Sequence, residues 1–141
     1  MTAEQTLEAM VAGLADDAVK LGREFKLHLD FSEATLEPVE DLLARFADEL
    51  PTKRPSSDEV DQMCRVWGAY FGEVVRRKFG GEWAIEPYPG ERFATLTLNV
   101  RGAKLFPTIK VFRRLTQGAG ESVWDFYQAI SKKLGAPARV N

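Results

Sequence analysis

Five charged residues stand where acid–base or anion-binding chemistry would want them. Glu73 is followed by Arg76 and Arg77, and Lys110 and Arg114 lie on a later segment with helical spacing. A carboxylate covered and ringed by guanidinium and ammonium groups is a general base or a clamp for an acidic ligand. On an uncovered helix face the same Glu73 makes an i,i+4 pair with Arg77, worth roughly 0.3 kcal/mol. The spacing favours this second, exposed reading, because Glu73 projects away from the apolar stripe of its segment.

The chain holds one cysteine, Cys64, and one histidine, His28. Together they would make a nucleophile–base couple, but Cys64 falls on an apolar helix face and His28 on the polar side of an alternating run. One Cys and one His also fall short of the usual zinc ligand set, and a lone Cys makes no internal disulfide, which suits a reducing compartment. Phosphate-binding glycine loops, serine elbows, H-E-x-x-H and C-x-x-C motifs are missing from the sequence. No catalytic residue, no metal site and no cofactor is expected.

Charge is the next feature. Over 141 residues the formal net charge is −2, yet residues 1–61 carry 15 acids and 6 bases while residues 62–141 carry 6 acids and 13 bases. Arg76-Arg77-Lys78, Arg113-Arg114 and Lys132-Lys133 are the basic clusters. Clustered cations with nearby aromatics suit a nucleic-acid surface. Each cluster, however, sits close to the end of an expected helix, where cations complement the helix dipole, and the pI of about 5.5 is far from that of a basic nucleic-acid domain. Glu33, Glu37 and Glu40-Asp41 read in the same way as solvated helix faces. Tyr88 in a turn and Trp124 beside the core stripe of the last helix are aromatics available to a partner.

The elements that would position these groups follow from periodicity. Leu7, Met10, Val11, Leu14, Ala18 and Leu21 form one stripe of an amphipathic helix over Thr2–Gly22, expected at the periphery (residues 1–24). Phe25 to Phe31 alternates apolar and polar, predicting a strand. Ser32 is placed to cap a helix over Glu33–Glu49. Pro51 to Ser56 (51–56) reads as a short linker. Ser56 with Glu59 fits a capping box that opens a helix to Phe79, with Val60, Met63, Cys64, Trp67, Tyr70, Phe71, Val74 and Val75 on one face. Strands are expected at Trp83–Glu86, Phe93–Val100 and Lys104–Phe106, then helices over Pro107–Gln117 and Glu121–Leu134. The whole predicts an α+β fold, a small antiparallel meander of three to four strands packed with about five helices, as a single domain over 1–141. No run approaches the roughly 18 apolar residues of a membrane span, nor does the N-terminus resemble a signal peptide, so a cytoplasmic location is expected.

Gly68 and Gly72 are spaced as G-x-x-x-G inside a helix, which costs about 1 kcal/mol per glycine against alanine and asks for close approach by another element. The stretch from Trp67 to Val75 with Gly80, Gly81 and Trp83, together with Leu105 to Leu115 and Gly118, resembles small bacterial proteins grouped as domain of unknown function 3806. That resemblance implies a bacterial protein in which Gly68, Gly72, Glu73, Trp83, Pro107, Lys110 and Arg114 belong to one signature. It implies no activity.

The function these features favour is a non-enzymatic module that binds another protein in a regulatory or adaptor role, with Glu73, Arg76, Arg77, Trp83, Lys110, Arg114 and Trp124 as candidate binding residues. The alternatives are a nucleic-acid-associated factor using the basic half, and an enzyme built on a Glu/Arg/Lys pocket.

Overall fold

The computed structural model describes residues 2–135; residue 1 and residues 136–141 of the expected domain lie outside the described residues. Five α-helices and three strands follow in the order α1 (Ala3–Glu24), α2 (Leu36–Lys53), α3 (Ser57–Phe79), β1 (Glu82–Pro87), β2 (Ala94–Val100), β3 (Ala103–Leu105), α4 (Pro107–Gln117) and α5 (Val123–Leu134). This is an α+β fold with a three-stranded antiparallel meander, β1-β2-β3. Trp83 pairs with Leu98 and Ile85 with Leu96, while Leu98 pairs in turn with Leu105. Among the described residues, no helix is long and apolar enough to cross a membrane.

The centre is α3. Its start is capped by Ser56, whose Oγ accepts the Glu59 N–H at 3.1 Å. The hydroxyl also donates to the Glu59 carboxylate at 3.3 Å, so the reciprocal arm of the expected box closes on the side chain. Every residue from Val66 to Val75 is buried. A helix covered on all sides needs neighbours all round. On one side α1 supplies Val11, Ala15 and Ala18, all at 1% exposure or less. On another α4 brings Val111 and Leu115, and β2 brings Leu96 and Leu98. The N-terminal helix therefore belongs to the core on this line of small residues. Its stripe is narrower than its periodicity predicts: Val11, Ala15 and Ala18 are buried and Leu7 and Leu14 pack against the core, but Met10 and Leu21 are 47% and 39% exposed.

The predicted strand over residues 25–31 does not form. The segment is irregular, with Lys26 and Phe31 at φ 62° and 67°, conformations that break a ladder. Its alternation still sorts burial: Leu29 is buried and Phe25, Leu27 and Phe31 half-buried, while Lys26, His28 and Asp30 face water. What a strand would gain from a neighbouring backbone is supplied here by side chains. The Phe31 N–H donates to Tyr70 Oη at 3.0 Å, Tyr70 Oη lies 2.6 Å from Thr35 Oγ1, and the Phe31 and Tyr70 rings stack at 4.9 Å.

Two helix boundaries also differ. Ser32 makes no side-chain cap; a 3₁₀ turn over Glu33–Thr35 precedes α2, and the Thr35 hydroxyl donates to the Ser32 carbonyl at 2.6 Å. The expected linker 51–56 shrinks, because α2 continues through Pro51 to Lys53 and stops at Arg54, which is left-handed at φ 45°. A proline in the last turn forfeits one backbone bond at an end that frays anyway. At the other end of the chain, α5 starts at Val123 rather than Glu121, because Ser122 Oγ accepts the Asp125 N–H at 3.2 Å and sets the cap there.

Candidate functional site

The glycine spacing in α3 is explained by two close approaches. A Cβ on Gly68 would lie 2.8 Å from the Thr108 backbone at the start of α4. One on Gly72 would lie 2.1 Å from Trp83 Cη2 and 3.2 Å from Pro107 Cγ. The helix thus carries a notch in which the Trp83 ring and the first turn of α4 sit. Glu73 borders the notch, 5% exposed, and its Oε2 accepts the Trp83 indole N–H at 3.4 Å. Arg76 closes the other side, donating from Nε to Oε2 and from Nη2 to Oε1, the latter at 3.2 Å. That hydrogen bond holds the Arg76 pKa above its ordinary value.

Glu73 is therefore covered, and its partner is Arg76 rather than Arg77. Arg77 turns outward and places its guanidinium 3.6 Å from the Phe31 ring centre, a cation–π contact. The four-charge pocket of Glu73, Arg76, Lys110 and Arg114 does not form. Arg114 is 5% exposed and pairs with Glu40 at 2.8 Å, whose other oxygen accepts the Val123 N–H at 2.9 Å. Lys110 pairs with Glu121 at 2.6 Å and lies 4.9 Å from the Phe126 ring centre. Glu121 is held below its ordinary pKa by the Lys110 hydrogen bond. Trp124 is half-buried and stacks on Tyr127 with ring centres 6.2 Å apart. Of the seven candidates, then, three converge: Glu73, Arg76 and Trp83.

The acidic face of the first half is not simply solvated. Besides Glu40, Glu33 pairs with Lys78 and accepts the Tyr127 hydroxyl at 2.7 Å. The Lys78 and Tyr127 bonds hold Glu33 below its ordinary pKa; burial, with Glu33 beside it, pushes the Tyr127 phenol upward. Two of the ion pairs thus join the acidic first half to the basic second half. The basic clusters of α3 and α5 do sit in last turns, Arg76, Arg77 and Lys78 in α3 and Lys132 and Lys133 in α5.

Cys64 is buried, which pushes its thiol up to about 12 with help from Asp61, while His28 is exposed. A thiol that stays protonated is a poor nucleophile. Among the described residues no group of three or more His, Cys, Asp or Glu side chains is arranged to hold a metal.

A different surface emerges next to the notch. A small recess of about 360 Å³ is lined by Glu73, Arg76 and Trp83 from the core side and by Gln5 and Glu8 from α1. It adjoins a larger groove of about 650 Å³ between the first half of α1 and β1, to which Glu8 and Trp83 also contribute. The groove floor is apolar: Leu7, Met10, Trp83 and Ile85. Met10 and Ile85 are 47% and 55% exposed. Its charged lining is Glu4, Glu8 and Glu82, with no basic side chain among the lining residues. Trp83 is the one sequence-level candidate that reaches this groove. Met10 was expected to point inward, and the three carboxylates are spread over two segments far apart in the chain. The only signal for them was a helix stripe wider than one neighbour covers.

The chain matches no protein-family model, no curated protein and no solved structure.

Proposed function

We propose that this chain is a non-enzymatic binding protein whose α1–β1 groove takes a cationic, partly apolar segment of a protein partner. One observation carries the reading: exposed Met10 and Ile85 share a concave surface with Glu4, Glu8 and Glu82 and with no base. Apolar anchors at the centre of a groove supply affinity, and a rim of one charge sign selects the partner and speeds encounter. The enzymatic alternative loses its support because Glu73 is committed to Arg76 and Trp83, while Lys110 and Arg114 serve other carboxylates.

The test is a displayed random-peptide library panned on the wild-type chain and counter-selected on Glu8→Lys/Glu82→Lys. Recovered peptides are expected to be rich in Lys or Arg with an aromatic or aliphatic anchor. Their affinity should fall at least about tenfold on the double variant and weaken with salt. Recovery of peptides indifferent to both changes, or of none, overturns the reading.

A further inference from the structure

We propose that the occupant of the α1–β1 groove is a second copy of this chain, which presents the surface around Phe93 and Phe112. The inference rests on the groove reading above and names its partner.

Five large hydrophobic side chains are exposed among the described residues: Met10, Leu21, Ile85, Phe93 and Phe112. Two of them form the groove. Another two, Phe93 and Phe112, are 47% and 41% exposed and line one hollow of about 410 Å³ together with Arg65. Four of the five thus gather in two patches, one aliphatic and one aromatic.

The groove is acidic, whereas arginines outnumber acids in and around the hollow. Arg65 lines the hollow, Arg113 is held on Tyr88 beside Phe93, and Arg92 directly precedes Phe93, with Glu91 before it in the chain. Asp61 is the one acidic residue in the lining. Facing this, the groove offers Glu4, Glu8 and Glu82. Guanidinium–carboxylate pairing is the strongest charged contact that side chains make, and a methionine against an aromatic ring is favourable as well.

The aromatic patch is also pre-organised. Tyr88 stacks on Phe93 with ring centres 5.7 Å apart and meets the Phe106 ring edge-on at 5.0 Å. Its hydroxyl accepts from Arg113 Nη2 at 2.6 Å. A side chain already held in place loses little freedom on binding. The groove and the hollow share no lining residue, so the contact joins different surfaces of the two copies. The uneven division of charge along the chain, net acidic to residue 61 and net basic after it, then has a use between molecules.

Sedimentation velocity on the full chain tests this. Wild type should self-associate with a dissociation constant of about 10–100 μM, more weakly as salt rises. Glu8→Arg/Glu82→Arg alone and Arg65→Glu/Arg92→Glu alone should each weaken association at least tenfold. The quadruple variant, which reverses both patches in one chain, should restore it to within about threefold of wild type. That rescue cannot come from misfolding. Wild type that stays monomeric to about 1 mM while the cationic peptides above still bind overturns this inference and leaves the groove reading standing. Self-association unaffected by either pair of reversals overturns it too. Absence of both self-association and peptide binding removes both readings.

Discussion

The recess beside α3 and the groove beside β1 share Glu8 and Trp83 in their walls, but they treat charge in opposite ways. In the recess the Glu73 carboxylate is covered and its oxygens accept from Arg76 and Trp83. The same closure holds at Glu40 with Arg114 and Val123, and among the described residues no buried side-chain polar atom lacks a partner. In the groove, Glu4 and Glu82 are exposed and their carboxylates make no hydrogen bond or ion pair with the described residues. Closed networks are what folding demands of buried charge. Open carboxylates beside exposed aliphatics are what a binding surface keeps. The residues most distinctive in the sequence therefore mark where the chain packs on itself, and the candidate binding surface is made of ordinary ones.

The largest effect that sharpens this contrast should come from Arg114. Arg114→Leu leaves the Glu40 carboxylate, whose side chain is 13% exposed, with the Val123 N–H as its remaining partner. Breaking a buried pair on one side costs about 3–5 kcal/mol. Denaturant unfolding should show the loss, and Glu40→Leu/Arg114→Leu should recover most of it, because the uncompensated charge is gone. A loss below about 1 kcal/mol for the single variant would mean that the pair behaves like a surface one and that the contrast is wrong.

Gly72→Val comes next. Its Cβ would sit 2.1 Å from Trp83 Cη2, 2.5 Å from Cζ2 and 3.2 Å from Pro107 Cγ. The indole has to leave the notch, breaking its bond to Glu73. Overpacking of this kind costs about 2–3 kcal/mol, and the tryptophan emission should shift to the red as the ring meets water. Gly13, which has nothing within 4 Å of its would-be Cβ, is the control: Gly13→Ala should stabilise the chain by up to about 1 kcal/mol. If both glycines respond alike, the notch is not what placed Gly72 there.

These two sites also show which structure was legible from residue patterns. Helical periodicity located all five helices, because packing on α3 rewards the same apolar faces that the periodicity reveals; the expected cap at Ser32 and stop at Gly22 did not mark the ends. The three-stranded meander was legible for the same reason, with turn residues between β-favouring runs. Residues 25–31 were misread because alternation reports which side chains are buried, not whether a backbone partner exists; here Tyr70 and the helices take the apolar set. Glu73 was misread because its cover comes from Trp83 of β1, beyond the reach of local spacing. Arg114 finds Glu40 across 74 residues, a separation that no motif encodes. Of the candidate site only Trp83 was legible, since a groove depends on how far α1 overhangs β1 and not on any residue type.

The smallest effect is the most discriminating one. Glu4→Gln/Glu8→Gln/Glu82→Gln removes three charges from the groove and keeps the size of each side chain. Glu4 and Glu82 have no partner to lose, and Glu8 acts only at a distance on Arg76. Surface substitutions of this kind change stability little, so Tm should move by no more than about 2 °C. Charge repulsion between three carboxylates around one groove is relieved at the same time, which makes a small rise the favoured sign. Affinity for cationic peptides should nonetheless fall about tenfold. A triple variant that melts several degrees lower would show that the groove carboxylates hold the fold together in the manner of Glu73 and Glu40. One that keeps both its Tm and its affinity would leave the groove with apolar recognition alone.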